Sequence, residues 1–282
     1  MKHVAQLSRI FTTTFARKII NGSDELFLNE LKPTFSFINE VLANSDYELL
    51  YKNAFILLAN DYRNEYIYKT VFYSQILEDK EKSSNFSVIS ELRTGNSIAD
   101  IATFGSKRTS NSIEIKSDID KISKATTQVI DYQKMFPLVS LISSKDQIDK
   151  IFKVISKDIG LLVLNNDLSI NILRNAKYND SLLDKKTMFY TLRRHEYELL
   201  IKEYYGYVPN VPNGLIFSEC FSLAMEIPML FFYRLFRKRL AERIQIEDYS
   251  DNRIPNYLTF IARKSSLTKN EKKQFIEKVL PH

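Results

Sequence analysis

Residues 97–116 read SIADIATFGSKRTSNSIEIK and decide the architecture of the middle of the chain. Apolar runs rich in β-branched residues, Ser97–Phe104 and Ser112–Lys116, flank the polar connection Gly105–Asn111. This arrangement predicts two strands joined by a hairpin-like connection. Asp100 lies inside the first run, where a buried carboxylate is costly unless it is paired or bound to a metal.

Alternation along the second strand places Glu114 and Lys116 on one face, because successive side chains of a strand point to opposite sides. Ile113 and Ile115 then point into the core. Asp100 lies on the neighbouring strand, and paired strands can bring such side chains face to face at one end of a sheet. The pattern therefore predicts two carboxylates and one ammonium close together, with the main-chain carbonyl of Ile115 as a further oxygen donor.

These groups suit phosphodiester hydrolysis, which requires an activated water and neutralisation of the charge that builds on the phosphate oxygens. Carboxylates can hold Mg²⁺ with open water positions, and the ion meets both requirements. A nearby lysine can orient the attacking water or stabilise the developing charge. The residue types therefore favour metal-dependent phosphodiester chemistry.

An acid-x-Lys spacing alone is weak evidence, because it recurs in this chain. Such triplets are also found at Glu78–Lys80, Asp184–Lys186 and Glu271–Lys273. Those triplets lack flanking β-branched residues and a preceding acid within a strand. The alternative interpretation of Glu114 and Lys116 is a solvent-facing ion pair with no chemistry.

Outward from the two strands, helical and strand-like segments surround the hairpin. Residues Asn64–Leu77 and Asp118–Met135 show helical spacing, and Asp120 is placed to cap the second helix. Gln128 and Tyr132 lie one turn apart on that helix. We expect an α/β (α+β) fold in which a mixed central sheet is flanked by helices. The remaining predicted segments are strands at Leu138–Ile142, Gly160–Leu164 and Ser169–Leu173, and a polar loop at Asp79–Asn85.

The pattern divides the chain into three regions. Residues 1–58 are predicted to form an N-terminal helical region, residues 59–175 the core around the hairpin, and residues 176–282 a C-terminal helical, basic region. The composition, with 282 residues of which 44% are hydrophobic and 26% charged, is that of a globular protein with a sizeable core. The single cysteine, Cys220, excludes an intrachain disulfide. We expect a cytoplasmic protein, because no secretory signal or bilayer-spanning apolar run is visible.

Other chemistries find little support. The three histidines are His3, His195 and His282, and none lies in an apolar strand context. This argues against a His/Cys metal cluster and against a Ser/His/Asp triad. No Gly-rich phosphate loop is visible.

Basic residues concentrate toward the C-terminus. Residues 231–282 contain twelve Lys and Arg against six Asp and Glu, an excess equal to the whole net charge of +6. A basic segment suits a polyanion such as nucleic acid. The alternative interpretation is a solubilised helical surface.

An ordered set of motifs resembles a known family. Residues 60 to 240 are similar to a family of largely uncharacterised bacterial proteins in the PD-(D/E)xK superfamily of restriction-endonuclease-like folds. The motifs are NEYIYKT (64–70), SELRTGNSIADIATF (90–104), SIEIKSDID (112–120), QVIDYQKMF (128–136), VSLISS (139–144), IGLLVL (159–164), LRRHEYELLI (192–201) and YGYVPNVPN (205–213).

The resemblance implies roles for particular residues. Asp100 and Glu114 would be metal ligands, and Lys116 would position water. Glu65, on the core helix, would be a supplementary acid near the metal, although it is otherwise an ordinary solvated helix residue. The catalytic set implied by the resemblance is Asp100, Glu114, Lys116, Glu65 and Gln128.

Some positions are less clear or depart from the superfamily pattern. Gln128 matches a glutamine beside the active site, although it is otherwise an ordinary surface glutamine. Glu91 and Arg93 match a Glu-x-Arg element leading into the first strand. Lys124 stands where arginine or leucine is commoner, and residues 98 and 99 replace the literal Pro-Asp of the superfamily name.

The expected function is a Mg²⁺- or Mn²⁺-dependent nuclease, with DNA favoured over RNA and no membrane partner. Lys107 and Arg108, in the hairpin connection, and Arg93 are predicted to contact nucleic acid. Many nucleases of this fold form homodimers to cut two strands, so the resemblance leaves a homodimer open. Two alternatives remain at this point: a nucleic-acid-binding or regulatory protein on a nuclease fold with little or no catalysis, and a helical interaction protein with incidental acids.

Overall fold

The computed structural model of the protein describes residues 3–80, 86–105, 110–243, 254–262 and 266–280. Within these residues six strands form one mixed sheet, in which the spatial order follows the chain order. The strands are β1 (Phe86–Thr94), β2 (Ser97–Gly105), β3 (Ser110–Lys116), β4 (Leu138–Ser144), β5 (Gly160–Leu164) and β6 (Ile170–Arg174). Neighbouring strands are antiparallel except for the parallel pairs β3–β4 and β4–β5.

Helices precede, interrupt and follow the sheet. Short 3-10 helices are described at Val4–Phe11, Ile122–Lys124 and Asn256–Leu258. The α-helices are α1 (Thr13–Asn21), α2 (Glu25–Leu31), α3 (Phe37–Asn44), α4 (Tyr47–Asp61), α5 (Glu65–Lys80), α6 (Ala125–Gln133), α7 (Lys145–Val154), α8 (Lys185–Thr191), α9 (Arg194–Tyr205), α10 (Ile216–Glu226), α11 (Met229–Ala241), α12 (Thr259–Ala262) and α13 (Lys269–Val279).

The parallel centre of the sheet arises from two helical crossovers. α6 connects β3 to β4 and α7 connects β4 to β5, as parallel neighbours require. β4 therefore lies between two parallel strands, and all its residues except Leu138 are buried. The sequence of a strand that is covered on both faces is typically a continuous run of apolar or small residues, as in LVSLISS.

Two hydrophobic clusters cover the two faces of the sheet. One contains residues of α1–α5, α12 and α13 together with Ile101, Ile113 and Ile115. The other contains residues of α6–α11 together with Ala102 and Leu141. Each face of the sheet is thus shielded from water by its own layer of helices, which is the arrangement that buries both faces of a largely apolar sheet.

The expected α/β architecture, a mixed sheet flanked by helices, is confirmed. The predicted strands correspond to β2 through β6, and the predicted helix at Asn64–Leu77 corresponds to α5. α5 continues through Lys80, so the predicted polar loop at Asp79–Asn85 is wrong at its start, and residues 81–85 lie outside the described residues. Residues 106–109 of the hairpin connection also lie outside them.

The first strand of the sheet was not predicted. The sequence pattern predicts that Glu91 and Arg93 precede the first strand, but they lie within β1. β1 and β2 form a tight hairpin in which Thr94 pairs with Ser97. Gly95 allows this turn, because its φ of +61° is in the left-handed region that glycine adopts without steric cost.

Asp120 does not cap the helix after β3. α6 begins only at Ala125, after the 3-10 turn. The Asp120 Oδ2 atom instead accepts hydrogen bonds from the backbone N–H and the hydroxyl of Ser117, at 2.9 and 2.6 Å. The carboxylate therefore stabilises the turn that leaves β3.

The apolar residues near Ala224–Phe236 are divided between α10 and α11. Within the described ranges, no helix combines the length and apolar character that a bilayer crossing requires.

Candidate active site

The candidate site lies where β2 and β3 separate. Their ladder pairs Phe104 with Ser110 at one end and Ile101 with Ile113 at the other. Beyond Ile113, the Asp100 side chain of β2 bridges to β3, where its Oδ2 atom accepts a hydrogen bond from the Ile115 N–H at 2.7 Å. In a strand the N–H and C=O of one residue point to the same side, so the Ile115 carbonyl also faces the Asp100 side of β3.

An irregularity in the hairpin aims Asp100 into this gap. Glu91 lies opposite Asp100, between the pairs Ser90–Ile101 and Leu92–Ala99. Its φ of +57° is left-handed, a conformation that costs a non-glycine residue roughly 1–2 kcal/mol.

The same irregularity changes which side chains face each cluster. Ala99 packs in the cluster on the α6 side, whereas Ile101 packs in the cluster on the α5 side. Residues two apart share a face in a regular strand, so the strand rotates at Asp100. Strained backbone of this kind is often found at functional sites.

Glu114 and Lys116 share a face, as alternation predicts. The Lys116 Nζ atom lies 2.6 Å from Glu114 Oε1 and donates a hydrogen bond to Gln128 Oε1 at 2.8 Å. Glu114 is 1% exposed and Lys116 is 7% exposed. The alternative interpretation as a solvent-facing ion pair is therefore wrong, and both residues belong to a buried polar cluster.

Tyr132 holds the other side of the Glu114 carboxylate. Its hydroxyl is placed to donate to Glu114 Oε2, and the hydroxyl oxygen also lies 2.7 Å from the Ile98 carbonyl oxygen. Tyr132 and Gln128 stand one turn apart on α6, and that spacing lets one helix hold both Glu114 and Lys116.

Lys69, which the sequence interpretation missed, completes the cluster from α5. Its ammonium contacts the carboxylate of Glu65, lies 3.3 Å from Glu91 Oε1, and lies 4.0 Å from Asp100 Oδ1. The Lys69 side chain is 3% exposed, whereas those of Glu65 and Glu91 are 50% and 46% exposed. The Glu65–Lys69 pair has the i,i+4 spacing of a helical ion pair, which was the one visible sequence signal for Lys69.

Burial and mutual repulsion shift the pKa values of the two acids on the sheet. Burial, followed by the negative charges of Glu114 and Glu65, raises the pKa of Asp100 to about 8, against the opposing effect of Lys69. Burial also raises the pKa of Glu114, although Lys116 and Tyr132 favour its ionised form. The two carboxyl groups of the sheet therefore resist being ionised together unless further positive charge is supplied.

The lysine and tyrosine of the cluster respond to the same charges. Burial lowers the pKa of the Lys69 ammonium, but the carboxylates of Glu65 and Asp100 outweigh burial and hold its pKa above the ordinary value. Burial and the charge of Glu114 raise the pKa of the Tyr132 hydroxyl well above its usual range. Lys69 stays cationic and Tyr132 stays neutral, so both are available to stabilise carboxylates.

The residues present fit a divalent cation with oxygen ligands. Four carboxylates, of Glu65, Glu91, Asp100 and Glu114, meet two ammonium groups, of Lys69 and Lys116. These named side chains carry more negative than positive charge when all the acids are ionised, which favours a bound cation. Asp100, Glu114 and the Ile115 carbonyl offer the hard oxygen donors that Mg²⁺ and Mn²⁺ prefer.

In the described part of the chain, no group of three acid, histidine or cysteine side chains is arranged to hold a metal ion. The predicted ligand set differs from such a group, because it uses two acid side chains and one main-chain carbonyl. The carboxylates that would hold the ion are engaged instead by Lys69, Lys116 and the Ile115 N–H.

The structure brings together five of the sequence-predicted residues: Asp100, Glu114, Lys116, Gln128 and, through Lys69, Glu65. It does not bring in Arg93, which is exposed on β1. Lys107 and Arg108, predicted to contact nucleic acid, lie outside the described residues.

Part of the basic C-terminal segment is used inside the protein. Arg239 is 6% exposed and pairs with Glu203 and Glu242. Arg243 forms an ion pair with the buried Glu196, at 2.6 Å. These two guanidinium groups hold helices together. The positive charge of this segment that is available to bind a polyanion is therefore smaller than its charge excess suggests.

Comparisons with known proteins place the chain in a family. No curated protein matches it. A solved structure, that of the SPO1766 protein of unknown function from Silicibacter pomeroyi, has 19% identity and a TM-score of 0.28, and the match covers 35% of this chain and 64% of that one. The match thus spans somewhat less than two thirds of that protein, and its low TM-score supports no argument.

The family model for bacteriophage P4 protein cII matches residues 58–248, well over half of the chain and all of the candidate site. The chain belongs to the bacteriophage P4 protein cII family.

Proposed function

We propose that the protein is a nuclease that hydrolyses phosphodiester bonds, with DNA as its substrate and Mg²⁺ or Mn²⁺ as its cofactor. The observation that carries the proposal is the convergence of Asp100, Glu114 and Lys116 from two adjacent strands into one buried cluster beside the main chain of Ile115. The resemblance to the PD-(D/E)xK superfamily supports the same assignment.

When bound, the divalent ion would lower the pKa of a water molecule and neutralise charge on the phosphate. Asp100 and Glu114 would hold it together with the Ile115 carbonyl. The protein keeps both carboxylates in place before any ligand arrives: the Ile115 N–H orients Asp100, while Tyr132 and Lys116 orient Glu114. This preorganisation reduces the rearrangement required when substrate binds.

In this proposal Lys116 acts on water or on a phosphate oxygen. A lysine ammonium carries three N–H donors. Glu114 and Gln128 accept from two of them within the described residues, which leaves one donor for a ligand. Gln128 fixes the direction of the ammonium and so positions the remaining donor.

The test is a cleavage assay with Mg²⁺ or Mn²⁺ on duplex DNA, single-stranded DNA and RNA. Wild type should cleave DNA, and Lys116→Met should lose cleavage by about two to four orders of magnitude while it still binds the metal, because the lysine acts near the transition state. Lys157→Gln is a matched control, because Lys157 is exposed and precedes β5, at the opposite end of the parallel strands from Lys116.

Cleavage by Lys116→Met at the wild-type rate would overturn the role of the lysine. Metal and nucleic-acid binding without cleavage by wild type would instead favour the alternative, a binding or regulatory protein on a nuclease fold. The bacteriophage protein that gives the family its name supports a mobile-element setting for either activity.

A further inference from the structure

Lys69 is a deeply buried charged group beside the candidate site, with a side chain that is 3% exposed. It projects from α5, and its ammonium is surrounded by carboxylates from three elements: Glu65 of α5, Glu91 of β1 and Asp100 of β2. The ring of Phe260 covers it from α12, with 5.3 Å between the ammonium and the ring centroid. A lysine so enclosed is tolerated only because it is paired.

Each of the two proposed ligand carboxylates therefore has its own lysine. Lys116 pairs with Glu114 at 2.6 Å, and Lys69 approaches Asp100 at 4.0 Å. The two lysines reach the carboxylates from opposite sides, because Lys116 contacts Gln128 on the α6 side while Lys69 belongs to α5. The cluster is thus partly charge-balanced without any added ion.

The contacts of Lys69 differ in length. Its approach to Asp100, at 4.0 Å, is longer than its approach to Glu91, at 3.3 Å, and longer than its contact with Glu65. Glu65 and Glu91 are half-exposed acids and could keep the ammonium paired if Asp100 turned to another cation. The Lys69–Asp100 contact is therefore the one most easily given up.

We infer that Lys69 is a positioning residue that serves as the internal counter-ion of Asp100 whenever that carboxylate is ionised, and that it competes with the divalent cation for it. This inference rests on the proposed function, because it assumes that Asp100 binds the metal. Lys69 keeps Asp100 aimed into the gap between β2 and β3 until the ion arrives. Glu65 and Glu91 then retain the displaced ammonium.

The experiment is a calorimetric titration of the full-length protein with Mn²⁺ at one fixed pH. Lys69→Met removes the charge and keeps most of the length of the unbranched side chain. It should bind Mn²⁺ about tenfold or more tightly than wild type, within the usual range of coupling between two competing ligands. Lys202→Met, at an exposed lysine on α9 on the other side of the sheet, is the control and should bind as wild type does.

Equal or weaker Mn²⁺ binding by Lys69→Met would overturn the inference and leave the proposed function standing. If neither wild type nor the variant binds Mn²⁺, the proposed function fails and the inference fails with it. A purely structural role for Lys69 would lower stability without tightening Mn²⁺ binding.

A second pair of measurements applies if Lys69→Met does not fold. The double variant Lys69→Met/Glu91→Gln removes one charge of each sign, and it should still bind Mn²⁺ more tightly than Glu91→Gln alone. In wild type, the acetylation rate of Lys69, measured by mass spectrometry, should rise when Mn²⁺ is added, because the ammonium loses a carboxylate partner. An unchanged or lower rate would contradict displacement.

Discussion

Replacement of Asp100 by asparagine should make the metal-free protein more stable. The asparagine side chain would still offer an oxygen to the Ile115 N–H, which Asp100 now binds at 2.7 Å, but it would carry no charge. Asp100 is held between the charges of Glu114 and Glu65, and these, after burial, raise its pKa to about 8 from an ordinary value of 3.8. The substitution removes this repulsion and retains the hydrogen bond.

The sign and size of the effect follow from proton binding. Between pH 3.8 and about 8 the folded protein retains a proton on Asp100 that the unfolded chain has released. Stability therefore falls as pH rises through that interval, by about 1.4 kcal/mol for each pH unit. Over the whole interval the loss approaches about 6 kcal/mol, an upper limit because a proton on Glu114 relieves part of the same repulsion.

The assay is urea unfolding followed by circular dichroism, at several pH values across that interval and in the presence of a chelator. The stability advantage of Asp100→Asn over wild type should grow as pH rises toward about 8 and then level off. Asp149→Asn, at an exposed acid on α7, is the matched control and should follow wild type. An advantage that is absent, or independent of pH, would refute the electrostatic account of Asp100. Saturating Mg²⁺ should stabilise wild type by about 2.7 kcal/mol at a hundred times Kd, and Asp100→Asn by much less.

Three further predictions concern the surroundings of the site. Tyr132→Phe should lower the unfolding free energy by about 2 kcal/mol in urea titrations, because Glu114 loses a buried hydrogen-bond donor; unchanged stability would contradict the contact. Arg243→Met should lower the free energy of unfolding by about 3 kcal/mol or more, because it leaves the buried carboxylate of Glu196 unpaired. Arg234→Met, at an exposed arginine, should change it little. Equal effects in the two variants would argue against a structural role for Arg243. Removal of metal by a chelator should abolish cleavage and leave the far-ultraviolet circular dichroism spectrum intact, because lysines already balance part of the cluster; unfolding on chelation would show that the ion is structural.

The hairpin and its acids could be predicted because their signals are local. Alternation across Ile113, Glu114, Ile115 and Lys116 places the acid and the lysine on one face whatever surrounds the strand, and the structure shows that pairing. The continuous apolar run of β4 likewise predicts a strand buried on both faces.

The first strand was missed because its pattern is mixed. β1 carries Glu91 and Arg93 outward on the edge of the sheet, next to buried Val88 and Leu92. The dipeptide Gly95-Asn96, a recognised hairpin turn, was the available signal. Without β1, Glu91 could not be placed opposite Asp100.

Lys69 could not be assigned from the sequence, because its role depends on three elements meeting in space. The i,i+4 spacing from Glu65 predicts only a surface ion pair. Whether that pair is buried depends on the helices that pack over α5 and on Phe260 from near the end of the chain. At Asp120 the sequence signal was present but misleading. This residue type often caps helices, yet its carboxylate accepts a hydrogen bond from the backbone N–H of Ser117.

An anomalous diffraction map from crystals of the protein grown with Mn²⁺ would locate the metal ion directly. We expect one strong peak in contact with the carboxylates of Asp100 and Glu114 and with the Ile115 carbonyl oxygen, and loss of that peak in Asp100→Asn. Crystals saturated with Mn²⁺ that show no density between these groups, or show the ion bound only elsewhere, would contradict a metal site at Asp100 and Glu114.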